Sequence, residues 1–198
     1  IEVIGMANAG LGHDLLLANE SVDPVRLAAM ALLVEQEKAR ITIALDSIET
    51  VNAAADAGLR EALIDVEVGL PRCGVPPEGA GAIADAARTR GLSVRGVMGY
   101  EGHVVGLASH EERTRLTEEA MALLLKAHGD VGGEIISAGG TGTYAINTWA
   151  NEIQAGSYAL MDTAYSALAL PFVQALKVIA TVVSVSPKGW AVCDVGLK

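Results

Sequence analysis

The sequence predicts a parallel α/β fold of six strand–helix units followed by a short antiparallel β region. Three observations carry this. Short β-rich runs alternate with longer helical patterns through the first 170 residues. Glycine-rich turns sit behind the last two units, around Gly139 and Gly156. Beyond Pro171 the alternation stops, and two β-rich runs follow with no helix between them.

The first strand is expected at Asp14–Ala18, and Asp23-Pro24 then caps and opens a helix. Val25, Ala28, Ala29, Leu32 and Leu33 form its apolar stripe at helical spacing. Ile41–Leu45 is the second strand, and Ser47 starts a helix that Gly58 ends. Ala62–Val68 is the third strand, with Pro76 and Pro77 opening a helix that stops near Gly91. Val94–Met98 is the fourth. Ser109 and Glu112 form a capping box for a long helix with the stripe Leu116, Ala120, Leu123 and Leu124, closed by Gly129. Glu134–Ser137 and Glu152–Leu160 are the fifth and sixth strands. Val178–Val185 and Trp190–Val195 read as a hairpin turning through Pro187-Lys188-Gly189. Six parallel strands fit either an open doubly wound sheet or six of the eight strands of a closed barrel. The late glycine-rich turns favour the barrel, because barrels commonly hold phosphate behind their last two strands.

Composition narrows the chemistry. Of 198 residues, 51% are hydrophobic and 19% charged, so the chain can bury a core, and with 4% aromatics that core is aliphatic. A formal charge of −10 argues against nucleic acid or an anionic membrane as a partner and points to small-molecule chemistry. Cys73 and Cys193 lie far apart and make no disulfide framework, so a reducing, cytoplasmic setting is expected.

Gly139-Gly140-Thr141-Gly142-Thr143 is the strongest local signal. Successive glycines let backbone N–H groups converge on an anion, and threonine hydroxyls add donors without charge. The same run also serves as an ordinary strand-to-helix turn. It lacks the Gly-Lys-Ser/Thr of a phosphate-binding P-loop and the spacing of a dinucleotide fingerprint. Gly156-Ser157-Tyr158, close behind Gln154, offers a second turn of this kind. Arg72 either grips a carboxylate by a bidentate fork or pairs internally with Asp65 or Glu67. Tyr100 either stacks on a flat ligand or covers the mouth of the sheet. His103 and His13 are as readily structural as proton-transferring.

Five motifs taken in order resemble one family. They are Gly12-His-Asp-Leu-Leu-Leu-Ala-Asn-Glu20, Asp65-Val-Glu-Val-Gly-Leu-Pro-Arg-Cys-Gly74, Gly99-Tyr-Glu-Gly-His103, Gly139-Gly-Thr-Gly-Thr-Tyr144 and Gln154-Ala-Gly-Ser-Tyr-Ala-Leu-Met-Asp162. Together, spanning nearly the whole chain, they resemble the D-threonine aldolases and eukaryotic-type D-serine dehydratases, relatives of alanine racemase that bind pyridoxal 5′-phosphate (PLP) in an eight-stranded barrel. The resemblance implies a (β/α)8 barrel of the alanine racemase N-terminal type over residues 1–170, with six of eight strands present. It implies the start of a C-terminal β domain over 171–198.

The resemblance also assigns roles. Gly140, Thr141 and Gly142, with Gly156, Ser157 and Tyr158, would hold the PLP phosphate. Tyr100 would lie against the pyridine ring. Arg72 would sit near the cofactor's phenolic oxygen or the substrate. Gln154 stands where alanine racemases place an arginine facing the ring nitrogen, and an uncharged partner there weakens the electron sink. The implied activity is lyase chemistry on a β-hydroxy-D-amino acid, by aldol cleavage or dehydration, in a homodimer. Amino-acid racemisation and non-catalytic PLP binding are the alternatives. The family's Schiff-base lysine is expected to precede this chain, since none of Lys38, Lys126, Lys177, Lys188 and Lys198 falls at the matching strand end. Its divalent-metal ligands are expected beyond Lys198, so the chain alone is expected to be inactive.

Overall fold

The computed structural model describes residues 1–196, and a short helix, α1 (Glu2–Asn8), precedes the first strand, β1 (Asp14–Leu17). Helix α2 (Pro24–Glu35) follows, its first turn capped by the Asp23 carboxylate, which accepts from the N–H groups of Val25 and Arg26. Then come β2 (Arg40–Leu45), α3 (Ile48–Asp56) and β3 (Glu61–Asp65). Ser47 and Thr50 make a reciprocal capping box at the start of α3. A 3₁₀ turn at Pro77–Gly79 leads into α4 (Ala80–Thr89), β4 (Ser93–Met98) and the long α5 (His110–Val131), whose first turn is capped by Ser109. β5 (Ile135–Ala138), β6 (Glu152–Ile153) and a short α6 (Thr163–Ser166) complete this part. A separate antiparallel pair follows, β7 (Val182–Val185) with β8 (Ala191–Cys193).

Strand order decides between the two architectures. The large sheet runs β1-β2-β3-β4-β5-β6, every neighbour parallel and consecutive. A doubly wound sheet would reverse direction from its centre. An unreversed order curls one way, and the six strands form a half-barrel of the alanine racemase type. Among the described residues no helix is long and apolar enough to cross a membrane.

Side chains divide by strand alternation. Ile41, Ile43, Leu45, Ala62, Ile64, Val97 and Ala138 face the helices and bury against Leu27, Leu33, Val51, Ala84, Met121 and Leu124. Each fully buried Leu or Ile contributes roughly 2 kcal/mol through water-excluded area. The inner face holds a smaller cluster of Ala44, Leu63 and Met98, flanked by Leu16 and Ile135. Below it, at the strands' N-terminal ends, lies Arg95. A bulge in β4 turns this residue inward, since Ala62 pairs with Val94 and Leu63 with Gly96. Gly96 sits at φ +149°, where a Cβ would come within 2.0 Å of the Ile135 carbonyl oxygen, so only glycine passes the bulge. The Arg95 guanidinium donates to both oxygens of Asp14 (2.8 and 3.0 Å), to the Thr42 hydroxyl (2.7 Å) and to Glu134 (3.2 Å).

Several sequence expectations are corrected. Val25, Ala28 and Leu32 are exposed, whereas Leu33 is buried as expected and α2 also buries Leu27 and Met30. That helix is apolar on nearly every side, so periodicity alone leaves its orientation open. Helix α5 passes through Gly129 because Ala127 and Val131 are both buried, and Gly132 at φ +71° ends it. Leu123 is exposed, and Arg113, Thr117 and Met121 join Ala120 and Leu124 on the buried seam. Sheet pairing by the third strand ends at Asp65, although Val66 and Val68 stay buried. The sixth strand is only Glu152–Ile153, since the chain then turns at Gly156. The expected second-domain segment 171–198 contributes the β7–β8 hairpin, and Leu197 and Lys198 lie outside the described residues.

Replacing Arg95 with Met is expected to lower unfolding free energy by about 2–3 kcal/mol, because it strands the carboxylates around it. Denaturant midpoints would measure this. Hydrogen bonding from Arg95 holds the Asp14 carboxyl below its ordinary range, and Glu134 is lowered by its own backbone N–H and then by Arg95. Lowered carboxyls stabilise the fold above their unfolded values and lose that contribution as pH falls. The variant should therefore also show a flatter acid limb in melting temperature against pH.

Candidate active site

At the C-terminal ends of the strands, loops enclose a cavity of about 280 Å³. Ala18 comes from behind β1, Arg72 from behind β3, Tyr100 from behind β4, and Gly140 and Thr141 from behind β5. Gln154, Gly156 and Ser157 follow β6, and Tyr165 lies on α6. Among the described residues no carboxylate lines the cavity, and Arg72 is the one cation that does. A groove of about 330 Å³ at the opposite end includes Arg40 and Glu61, which pair with each other at 2.5 Å.

The two glycine turns meet. Thr141, 1% exposed, accepts a hydrogen bond on Oγ1 from the Tyr158 N–H at 2.9 Å. The Gly139 and Gly140 amides are spent inside the turn, donating to Glu101 (3.1 Å) and to the Thr143 hydroxyl (3.0 Å). Among the described residues, the N–H groups of Thr141, Gly142, Gly156 and Ser157 have no protein acceptor. Unspent amides clustered in two joined turns are the donors an anion nest is built from.

The remaining residues have defined partners. Ser137 donates its hydroxyl to Glu152 at 2.5 Å and so must accept from Gln154, whose Nε2 lies 2.9 Å away. That relay fixes the orientation of the Gln154 amide. The ion pair left open for Arg72 with Asp65 or Glu67 does not form among the described residues. The guanidinium instead lies 5.7 Å from the centre of the Tyr100 ring, in cation–π range. Burial pushes the Tyr100 hydroxyl above its ordinary value, helped by Tyr165 and Glu101, so it remains a proton donor at neutral pH.

Seven of the nine residues singled out from sequence line the cavity: Arg72, Tyr100, Gly140, Thr141, Gln154, Gly156 and Ser157. Gly142 packs under the Val105 carbonyl, where a Cβ would come within 1.8 Å of the oxygen. The Tyr158 ring is half exposed and rests 5.4 Å from Phe172, so this residue reaches the site through its backbone. His103 is exposed and lies against Gly69, and His13 sits at the opposite end of the sheet.

Sequence reasoning assigned no role to Glu101, Glu20 or Tyr165, and saw Asp65 only as a candidate partner of Arg72. Glu101 is fully buried, and it accepts from the Gly139 N–H, the Thr143 hydroxyl (2.7 Å) and the Asn147 amide (3.3 Å). Its signal was a charged residue between Tyr100 and Gly102 in an otherwise apolar stretch. Asp65 lies on the inner face of β3, two residues beyond Leu63. Burial, then contact with Glu20, pushes its carboxyl up to about 8. Burial and Glu20 also push the Cys73 thiol up.

Changing Glu101 to Gln should cost about 2 kcal/mol, because the amide NH₂ must face a donor in a buried pocket. Equilibrium denaturation would show it, and anion affinity at the turn should fall in parallel. The raised Asp65 carboxyl favours the fold below its unfolded value of 3.8 and loses that contribution as pH rises through about 8. Asp65→Asn, which stays neutral, should therefore melt higher than the wild type at pH 9 and show little advantage at pH 4.

Residues 2–164 match the family model described as alanine racemase, N-terminal domain. The chain is 31% identical over 217 residues to a D-threonine aldolase of Arthrobacter sp, covering 100% of this chain and 56% of that protein. It is 31% identical over 222 residues to a 3-hydroxy-D-aspartate aldolase of Paracoccus denitrificans, covering 100% and 57%. The crystal structure of D-threonine aldolase from Filomicrobium marinum superposes with a TM-score of 0.85 at 31% identity, over 98% of this chain and 57% of that one. The chain thus spans little more than half the length of these relatives. By the family match and the shared half-barrel, the chain belongs to the alanine racemase N-terminal domain family.

Proposed function

We propose that this chain is the cofactor-holding part of a PLP-dependent lyase acting on β-hydroxy-D-amino acids. The observation that carries it is the pair of turns joined through Thr141 and Tyr158, with the unspent amides of Thr141, Gly156 and Ser157 in a cavity that, among the described residues, is lined by one arginine and no carboxylate. A phosphate ester fits that donor set, and in a chain of net charge −10 little else would draw a dianion there. Similarity to aldolases acting on D-threonine and 3-hydroxy-D-aspartate favours lyase chemistry over racemisation.

In this reading the Thr141, Gly142, Gly156 and Ser157 amides anchor the phosphate, and the Tyr100 ring packs against the pyridine. The Gln154 amide, fixed by Ser137 and Glu152, presents an uncharged group toward the ring nitrogen. Arg72 offers its fork to the phenolic oxygen or the substrate carboxylate. Bound PLP supplies the electron sink for the bond broken at the substrate's α-carbon. We read the divalent metal expected to assist at the β-hydroxyl as held by residues outside this chain. We read the β7–β8 hairpin as the opening of a second domain. Among the described lysines, Lys38, Lys126, Lys177 and Lys188, none lines the cavity, and in this reading the chain alone binds PLP without attaching it covalently.

Titration of the purified chain with PLP should show saturable, phosphate-competed binding, weakened about tenfold by Thr141→Val. Borohydride reduction should fix no PLP to the protein. A protein carrying this chain together with the amine it lacks should convert D-threonine to glycine and acetaldehyde, or to 2-oxobutanoate and ammonia. Formation of L-allothreonine instead would replace the lyase reading with racemisation.

A further inference from the structure

The turn that supplies the Gly156 and Ser157 amides is pinned at its ends and loose in its middle. The Gln154 N–H donates to the Ala138 carbonyl at 2.9 Å on one side, and the Met161 side chain is buried on the other. Between them no side chain of Ser157–Ala159 is buried, and Gly156 has open space where a Cβ would stand. One hydrogen bond ties this middle to the turn behind β5, from the Tyr158 N–H to Thr141 Oγ1. Among the described residues, the other hydrogen bonds leaving the turn go to the segment behind Pro171. There the Leu160 carbonyl oxygen accepts from the Ala175 N–H at 2.9 Å and the Leu176 N–H at 3.2 Å. Phe172, the single phenylalanine of the chain, opens that segment and is half-buried. Its ring touches both turns. The centroid lies 5.4 Å from that of Tyr144, just beyond the β5 turn, and 5.4 Å from that of Tyr158. The planes are tilted by 51° and 44°, within the geometry in which aromatic rings attract.

We infer that Phe172 is a positioning residue for the anion site: packed against Tyr144 and Tyr158 at once, it clasps the two glycine turns into one rigid cradle. The bond from Tyr158 to Thr141 is a single point of attachment, about which the second turn can pivot. A ring wedged between the side chains of both turns is a second point, and it removes that pivot. Thr141, Gly156 and Ser157 then stand together on the cavity wall before any ligand arrives. Amides ordered in advance bind an anion without spending its binding energy on ordering them. With the ring gone, Tyr158 loses its partner, and the ligand itself has to gather the Gly156 and Ser157 amides. Affinity falls by that cost. The inference rests on the reading of the cavity as a PLP site and adds to it a residue that does not line the cavity.

The test uses the whole 198-residue chain with PLP and inorganic phosphate as probes, phosphate being measured by its displacement of PLP. In Phe172→Ala, well below the melting temperature, affinity for PLP and for phosphate should fall together, by about tenfold. Phe172→Leu keeps apolar bulk without the ring. It should weaken both probes as the alanine variant does, and it stands in for that variant if alanine prevents folding. Phe172→Tyr keeps the ring and should stay within about twofold of the wild type. In the two weakened proteins the Tyr158 amide should exchange its hydrogen faster, while amides of β2 and β3 exchange as before. A merely structural role would lower the melting temperature and leave the Tyr158 exchange and both affinities of the folded molecule where they were. A fall for PLP with phosphate unchanged also overturns the proposal, because the ring then acts elsewhere than on the anion. If the wild type binds both probes and the variants match it, the cofactor reading stands and the clasp falls. If the wild type binds neither, the cofactor reading falls and the role given to Phe172 goes with it.

Discussion

One buried carboxylate organises the upper end of this molecule. Glu101 has no exposed surface, and its two oxygens collect a backbone amide, a threonine hydroxyl and a side-chain amide, all from the segment behind β5. A charge taken out of water is tolerable only with such a set of donors, so the loop has one conformation that satisfies it. In that conformation Thr141 meets the Tyr158 backbone, and the turns behind β5 and β6 become one surface. The cavity is thus shaped by a group that does not line it.

Strand–helix alternation, the caps at Asp23, Ser47 and Ser109, and the hairpin were legible in the sequence because each depends on local chemistry. The glycine turns were legible for the same reason. What failed depends on which neighbour a residue meets. Helix α2 is apolar on most sides, so periodicity found Leu33 while the sheet chose Leu27 and Met30. Gly129 reads as a helix stop until Ala127 and Val131 are seen anchoring the turn around it. Glu101 was invisible as a functional group because its partners lie 38 or more residues away, and Asp65 because its raised carboxyl comes first from burial that sequence does not display. Gly142 and Tyr158 lie within the right motifs, yet they serve the site through backbone packing.

The two ends of the half-barrel solve the problem of buried charge in opposite ways. At the N-terminal end Arg95 gathers Asp14, Thr42 and Glu134 in a network with every charge opposed. Near the C-terminal end Asp65 is buried and joins no ion pair among the described residues, and burial pushes its carboxyl up to about 8. The first arrangement is insensitive to pH across the neutral range, whereas the second changes there. The apolar cluster of Ala44, Leu63 and Met98 separates them.

Among the described residues the half-barrel has two unpaired margins, β1 and β6, each offering backbone donors and acceptors to any extended chain. Asp14 on one margin and Glu152 on the other both face the same interior hollow. Arg95 already binds both oxygens of Asp14 there, and Ser137 donates to Glu152, so an extended segment laid along either margin would meet acids whose partners are taken.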